Sequence, residues 1–336
     1  MSIPVIGFFN NKGGVGKTSL VYHLSWMFAD MGVRVLAADL DPQCNLTAAF
    51  IDEKKLPDLF QKSPPFHTIY QCLQPLAKGS GDIAVPDYER IGDNLSLLAG
   101  DMRLSTFEDE LSQEWPKCLD GKERSFRVAS AFWRVAQSAA VKFNATVIMV
   151  DLGPNLGAIN RAALIGTDYV VIPLGPDLFS LQGLENLGPA LRRWRAEWRE
   201  RLSKRPKGDL DLPPGNIRPI GYVVIRHAIR LDRPVKAFDR WIAQIPQTYA
   251  QSVLEENPAA PTAIDGDPNC LATLRDYRSL MPLAQEARKP MFHLQSADGA
   301  LGAHLQAVAR SREDFQALAM KIAHGAKLAL PAADGE

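Results

Sequence analysis

The residues best suited to carry chemistry lie in a glycine-rich stretch near the start of the chain. Residues 11–18 read Asn-Lys-Gly-Gly-Val-Gly-Lys-Thr, which fits the phosphate-loop pattern G-x-x-x-x-G-K-[ST] except that Asn11 replaces its first glycine. Glycines let the backbone approach phosphate oxygens, and the amides of a following helix attract an anion. Lys17 would then reach the terminal phosphates of a nucleotide, and the Thr18 hydroxyl would bind Mg²⁺. The alternative is a turn that only caps a helix.

Acidic side chains follow two later apolar runs. Residues 39–43 read Asp-Leu-Asp-Pro-Gln at the end of one run, and Asp151 ends the apolar run 147–150. Acids at the carboxyl ends of parallel strands can hold Mg²⁺-bound waters and orient an attacking water. One apolar run that ends in an acid is weak evidence, but the glycine-rich loop and both acidic segments in this order indicate a nucleotide site.

Alternating strands and helices are predicted to position these segments. An apolar run precedes the glycine-rich loop at 4–9, and apolar residues at helical spacing follow it at 17–31. Further strands are predicted at 33–40, 95–98, 146–150, 169–173, 217–225 and 270–274, and further helices at 124–143, 181–202, 235–256, 280–288 and 300–328. Strands that alternate with helices indicate right-handed βαβ units. The predicted fold class is therefore α/β, with a doubly wound, mostly parallel sheet flanked by helices.

The composition is that of a globular protein without a strong charge of either sign. Of the 336 residues, 46% are hydrophobic and 23% are charged, and 38 Lys plus Arg balance 38 Asp plus Glu. This mix excludes intrinsic disorder as the main state, and it argues against a polycation that coats nucleic acid through its bulk charge. Any surface for nucleic acid must therefore be a local patch.

The sequence has no recognisable targeting segment, membrane span or linker. No apolar run reaches the roughly 18 residues of a bilayer span, and residues 1–10 lack the basic start of a signal peptide. The four cysteines are far apart, which is typical of reduced cytosolic thiols. Prolines interrupt residues 52–94. We therefore expect a single domain over 1–330 with an insertion at about 52–94, and a frayed tail at 331–336.

The order of the motifs resembles the ParA/MinD superfamily of P-loop ATPases, with their deviant Walker A loop, and is closest to the ParA-type partition ATPases. The extra lysine of the loop, Lys12, distinguishes it from an ordinary phosphate loop, and residues 39–43 look like the family's D-x-D-P-Q segment. The resemblance is tight over 3–48 and 145–190 and looser elsewhere. It implies a P-loop NTPase fold with insertions, Mg²⁺-dependent ATP hydrolysis, and ATP and Mg²⁺ as cofactors.

The resemblance also implies roles for individual residues. Lys12 would cross a dimer interface to the partner subunit's nucleotide, and it joins Lys17 and Asp41 as a predicted catalytic residue. The predicted metal-binding residues are Thr18, Asp39 and Asp151, with Asp39 supporting the metal shell. The predicted nucleotide-binding residues are Lys12, Gly13, Gly14, Val15, Gly16, Lys17, Thr18 and Ser19. Residues 153–155 stand where the family has a mobile switch that senses the γ-phosphate.

Some features separate the chain from members and relatives of the family. The adenine-contacting stretch of the family commonly reads Ile-Pro-Arg-Asn near the last strand, whereas residues 274–277 read Leu-Arg-Asp-Tyr. The cysteine layouts of nitrogenase iron-protein relatives and of iron–sulfur scaffold proteins are absent, and the loop is not duplicated as in anion-pump ATPases. P-loop amide-forming enzymes are the main metabolic alternative, against which the segment at 39–43 argues.

A basic stretch at 191–207 carries eight basic and two acidic residues. Arg192, Arg195 and Arg199 lie on one flank of an apolar stripe, and none has an acid three or four positions away. We predict that they bind DNA phosphates, and the alternative is an acidic patch elsewhere on the chain that pairs with them. In the loop after the strand at 217–225, Arg230 is the closest match to a DNA-contacting arginine of ParA relatives.

The resemblance implies an ATPase that partitions or positions DNA or another cargo. ATP would join two subunits into a homodimer that binds double-stranded DNA non-specifically. A ParB-like or other adaptor protein would stimulate hydrolysis and release the DNA. We expect a cytoplasmic protein that is nucleoid-associated when ATP-bound, and no membrane contact, because residues 300–328 mix charges unlike a membrane-binding helix. A switch subunit of another multiprotein complex and an amide-forming metabolic enzyme remain alternatives.

Overall fold

The computed structural model describes residues 2–60, 64–225, 240–258, 262–277 and 280–331. Within these ranges eight strands form one sheet. The strands are β1 (Val5–Phe8), β2 (Val35–Asp39), β3 (Glu89–Arg90), β4 (Leu95–Leu98), β5 (Val147–Asp151), β6 (Tyr169–Leu174), β7 (Arg218–Ile225) and β8 (Cys270–Leu274). Their order across the sheet is β3-β4-β2-β5-β1-β6-β7-β8.

The pairing of the strands brings the predicted motifs to one edge of the sheet. All neighbouring strands are parallel except β3, which pairs antiparallel with β4 at the edge. Asp151 at the end of β5 is the register partner of both Phe8 in β1 and Asp39 in β2. The loops that follow β1, β2 and β5 therefore meet at the carboxyl edge, where ligands bind in open α/β sheets.

Helices cover both faces of the sheet. They are α1 (Lys17–Asp30), α2 (Asn45–Phe50), α3 (Leu56–Leu59), α4 (Ile69–Ala77), α5 (Glu108–Lys117), α6 (Glu123–Ala129), α7 (Ala131–Phe143), α8 (Ala158–Ile165), α9 (Leu178–Leu202), α10 (Ile245–Tyr249), α11 (Leu280–Ala287) and α12 (Ala303–Gly325). One buried core lies between the sheet and α4 to α10, and the other lies beneath α1, α2, α11 and α12. None of these helices combines the length and apolarity needed to cross a bilayer, as far as the described residues go.

The predicted fold class is confirmed, and the differences are local. The helix predicted at 124–143 is two helices, α6 and α7, separated by Ser130. The Ser130 hydroxyl donates to the Phe126 carbonyl at 2.7 Å, a local hydrogen bond that competes with a continuous helix. The helix predicted at 235–256 contains α10 and a π-helix at Ala250–Leu254, which ends at the left-handed residue Glu255. Residues 235–239 lie outside the described part of the chain.

The segment predicted as an insertion, 52–94, contains α3, α4 and the short strand β3. It extends the sheet beyond β4 with an antiparallel pair, in which Glu89 lies opposite Leu97 and Arg90 opposite Ser96. The assignment of one domain to 1–330 stays a prediction. Of the predicted tail only Pro331 is described, and 332–336 lie outside the described residues.

Candidate functional site

The glycine-rich loop connects β1 to α1 in the conformation that a phosphate loop requires. Gly14 and Gly16 have φ values of 71° and 80°, which side-chain-bearing residues rarely adopt. Asn10 fixes the start of the loop, since its amide donates to the Pro173 carbonyl at 2.7 Å and its Oδ1 accepts from the Lys12 amide at 2.9 Å. The sequence did not predict this role, because Pro173 lies on a distant strand.

Lys17 and Asp151 form the charged centre of the site. Lys17 is 7% exposed, and its ammonium donates to the Lys12 carbonyl at 3.1 Å across the loop. Burial lowers the pKa of Lys17, and the carboxylates of Asp151 and Asp41 offset part of that effect. Asp151 is fully buried. Burial and then the charge of Asp39 raise its pKa well above the usual range, while neighbouring Thr18 acts in the opposite direction.

The donor set around Asp151 fits a divalent cation. Among the described residues, neither carboxylate oxygen of Asp151 receives a hydrogen bond within 3.5 Å. A buried carboxylate without donors is costly unless a cation or a polar ligand compensates it. Mg²⁺ in phosphate-transfer sites typically takes one or two protein oxygens, with the rest from phosphate and water. Asp151 with the Thr18 hydroxyl meets that requirement.

Asp39 is occupied by the chain itself. Its Oδ2 accepts from the amide and the hydroxyl of Thr47 at 2.8 and 2.7 Å, and its Oδ1 accepts from the Asp41 amide at 3.2 Å. The Thr47 hydroxyl in turn accepts from the Gly100 amide at 2.8 Å. Asp39 thus anchors α2 and the end of β4 to the end of β2. Its predicted place in the metal shell stays a prediction.

Asp41 faces the loop that follows β5. A Cβ added at Gly153 would stand 3.3 Å from Asp41 Oδ1, and one added at Gly13 would stand 4.0 Å from Pro154. The other side of the loop is held by Asn160 in α8, whose amide donates to the Gly153 and Asn155 carbonyls at 2.9 and 2.7 Å. The structure therefore brings the predicted catalytic acid and the predicted switch residues 153–155 together.

Lys12 points along the carboxyl edge toward β6. Its ammonium forms an ion pair with Asp177, which also caps the N-terminus of α9 by accepting from the Ser180 amide at 3.0 Å. The Lys12 side chain is 28% exposed. Sequence patterns gave no signal for Asp177, because 164 residues separate it from Lys12. The predicted action of Lys12 in a partner subunit stays a prediction.

Two adjoining cavities open from the loop. The larger, of about 600 Å³, lies among the loop, α1, α2 and α11, and it includes Lys17, Thr18 and Asp41 in its wall. The smaller, of about 320 Å³, is lined by Gly14, Gly16 and the 274–277 segment at the end of β8. Their sizes lie in the range of small-molecule sites. Gly14, Gly16, Ser19 and Met281 line both.

The basic row on α9 is only partly free. Arg192 forms an ion pair with Glu255 at 2.9 Å and donates to the Ser252 carbonyl at 2.6 Å, and Arg195 donates to the Ile217 carbonyl at 3.2 Å. Arg199 is exposed. The alternative of an acidic partner elsewhere on the chain therefore holds for Arg192. Arg230 lies outside the described residues, and the DNA-binding role of the whole set stays a prediction.

Comparison with known proteins places the chain among nucleotide-binding relatives. The family described as "AAA domain" (AAA_31) matches residues 3–204. The chain is 29% identical to the Methanocaldococcus jannaschii protein MJECL24 over 274 residues, covering 75% of this chain and 96% of that protein. It is 30% identical over 183 residues to the sporulation initiation inhibitor protein Soj of Bacillus subtilis, covering 54% of this chain and 62% of Soj.

The fold is shared with a solved structure along its whole length. The structure of a Cyanothece McdA variant in complex with ATP superposes with a TM-score of 0.63 at 14% identity, covering 99% of both chains. At that identity the likeness concerns the fold. Because the family match covers the loop, β2, β5 and the whole of α9, the segments that meet at the carboxyl edge are those that the family shares.

Proposed function

The chain belongs to the ParA/MinD type of P-loop ATPases, and on that premise we propose that it is a ParA-like switch that dimerises with ATP, binds DNA and is reset by hydrolysis. The observation that supports this most is the meeting of Lys12, Lys17, Asp41 and Asp151 at one edge of the sheet. A lysine and acids such as Lys17, Asp41 and Asp151 also serve ATPases with an ordinary phosphate loop. The additional lysine, Lys12, would contact the partner subunit's nucleotide in the ATP-bound dimer.

The residues at the carboxyl edge divide the work of hydrolysis. The loop amides and Lys17 bind the phosphates, where buried positive charge is most effective. Thr18 and Asp151 would hold Mg²⁺, which would neutralise phosphate charge, and Asp39 would support this shell through the end of β2. Asp41 orients the attacking water, since it lies beside the cavity and next to the Gly153 backbone. Lys12 leaves Asp177 and reaches the partner subunit's nucleotide.

The smaller cavity is the proposed place of the nucleobase. It adjoins the phosphate loop and is lined by residues 274–277. These residues stand at the end of the last strand, near which the family contacts adenine. Tyr277 is held in place because its hydroxyl donates to Asp314 on α12. Leu20, Met291 and Phe315 are among the apolar side chains of the lining. A flat base bound between apolar groups would fit this composition.

Binding of DNA and release by an adaptor make up the output of the proposed switch. Arg199 and the exposed Arg193 are candidate phosphate contacts on α9, and the dimer doubles each of them. In this account the protein is cytoplasmic and associates with the nucleoid in its ATP form. The switch-subunit alternative shares the same nucleotide chemistry and differs only in its output.

Duplex binding as a function of nucleotide tests the proposal. Fluorescence anisotropy with random-sequence duplexes should show binding with ATP and Mg²⁺, little binding with ADP, and a steep loss with salt because counterions are released. Lys17→Ala is the negative control, since it removes the charge that faces the phosphates. If the wild-type protein binds ATP but ignores DNA, the switch-subunit alternative replaces partition. An ATPase rate that depends on a small carboxylic acid would instead support the amide-forming enzyme.

A further inference from the structure

Glu108 contacts the start of α8 from another part of the chain. It opens α5, and its Oε1 and Oε2 accept from the Ala158 and Ile159 amides at 2.5 and 2.8 Å. The first amides of a helix lack partners within the helix and carry partial positive charge. The residue before α8, Gly157, has no side chain to cap them. Glu108 therefore supplies the cap of α8 across about fifty residues of sequence.

Gly157 provides the room for this contact. A Cβ at this position would stand 2.6 Å from Glu108 Oε1 and 2.9 Å from Asn155 Oδ1. The φ of Gly157 is −81°, which any residue adopts, so backbone conformation does not demand a glycine here. The glycine at this position is explained by the space that the Glu108 carboxylate needs.

The position of α8 fixes the position of the loop beside Asp41. Asn160, one turn into α8, is fully buried, and its amide donates to the Gly153 carbonyl at 2.9 Å. Gly153 lies against Asp41, since a Cβ there would be 3.3 Å from Oδ1. A displacement of the first turn of α8 would therefore move the backbone that borders Asp41.

We propose that Glu108 is a positioning residue for ATP hydrolysis. It does not line either cavity at the phosphate loop, and it acts by fixing α8 and, through Asn160, the loop 153–155. The inference rests on the proposed ATPase function of this site. Small displacements of groups that orient a nucleophile reduce the rate of the chemical step far more than they reduce binding.

Steady-state ATPase measurements on Glu108→Ala and Glu108→Gln test the inference. For Glu108→Ala we expect kcat to fall roughly tenfold, since a misplaced loop costs rate, while KM for ATP stays within about twofold because the phosphate loop is unchanged. Glu108→Gln retains one acceptor oxygen, so its kcat should lie between those of Glu108→Ala and wild type. The matched control is Asp109→Asn, an exposed acid in the same turn of α5, which should keep the wild-type kcat.

A double-mutant cycle separates this contact from a general loss of structure. Gly157→Ala should lower kcat by displacing Glu108, and it should cost less in the Glu108→Ala background, where only the close approach to Asn155 Oδ1 remains. Glu108→Gln and Gly157→Ala carry the test if Glu108→Ala does not fold. Wild-type kcat in these variants, or an equal loss in Asp109→Asn, would overturn the inference. If the wild-type protein itself does not hydrolyse ATP, both the proposed function and this inference are overturned. That outcome is seen in the wild-type protein alone, so it is distinguishable from a failure of the inference.

Discussion

His23 is a titratable group buried within the helix of the phosphate loop. Its Nδ1 lies 2.7 Å from the Ser19 carbonyl, its ring stacks on Phe315 with 5.0 Å between centroids, and its Nε2 has no partner among the described residues. Burial, with a smaller effect of His293, lowers the pKa of His23 to about 4. The imidazole is therefore neutral at physiological pH and cannot become charged without cost.

The burial of His23 predicts acid sensitivity of the nucleotide-free protein. In the unfolded chain the imidazole takes a proton near pH 6.5, but in the folded protein only near pH 4, so stability is lost as the pH falls through this window. The difference amounts to about 2 kcal/mol between pH 7 and pH 4.5. Urea denaturation at both pH values should show that His23→Leu loses less stability than wild type on acidification. Equal losses would mean that His23 is not buried as described.

The site residues divide into those with a local sequence signal and those without one. Lys17, Thr18 and Asp151 could be predicted as candidates, because a glycine-rich loop and an acid after an apolar strand are recognisable from a few neighbouring residues. Asp177 and Asn160 could not, because each acts through a partner that only the folded chain brings near. Single-sequence patterns therefore found groups that the fold brings to the carboxyl edge and missed most of the residues that hold them there.

At the scale of elements, α9 serves two purposes. Its Gly188 face packs so closely on the π-helix that a Cβ at Gly188 would stand 1.8 Å from the Ser252 carbonyl, and Arg192 holds the same segment through Ser252 and Glu255. Arg199 lies two turns further on and is exposed. In the row predicted from spacing alone, Arg192 therefore stabilises the fold, whereas Arg199 lies on the surface.

This division predicts different effects of two similar substitutions. Arg192→Ala should destabilise the fold by about 1–2 kcal/mol, because carbonyls and an acid lose their partner. Arg199→Ala should leave stability unchanged and weaken DNA binding about equally for all sequences, with a salt slope lower by about 1 per subunit. Thermal melts and anisotropy titrations over a range of salt concentrations measure both. If Arg199→Ala binds DNA like wild type at every salt concentration, α9 is not part of the DNA surface.

Strands were easier to predict than helices. The buried parallel strands appear in the sequence as short, continuous apolar runs, and each strand predicted within the described residues is present. The helices that were not predicted include α5 and α8. The first turn of α5 is acidic, which favours a helix start, but Phe107 before it offers no capping side chain. α8 is short and begins with glycine in place of a capping side chain. Their stability comes from packing against one another and from Glu108, which are tertiary effects.

At the scale of the whole molecule, the carboxyl edge of the sheet carries both charge and exposed apolar surface. Leu156, Leu178 and Phe179 are 37%, 42% and 66% exposed. Leu156 lies in the loop after β5, and Leu178 and Phe179 begin α9 directly after the loop that follows β6. These two loops flank the glycine-rich loop. In the proposed dimer these side chains would be covered by the second subunit. Lys12 stands between the two loops, next to Asp177, and the same closure would place it near the partner subunit's nucleotide.

The central claim is that ATP joins two subunits through this edge, and sedimentation velocity tests it most directly. The measurement uses Asp41→Ala, which should bind ATP without hydrolysing it, and compares it with the Asp41→Ala, Lys12→Ala double variant, each with ATP and Mg²⁺ or with ADP. We predict a dimer for Asp41→Ala with ATP, a monomer with ADP, and a weakened dimer for the double variant despite retained ATP binding. A monomer under all conditions, in protein shown to bind ATP, would contradict the account.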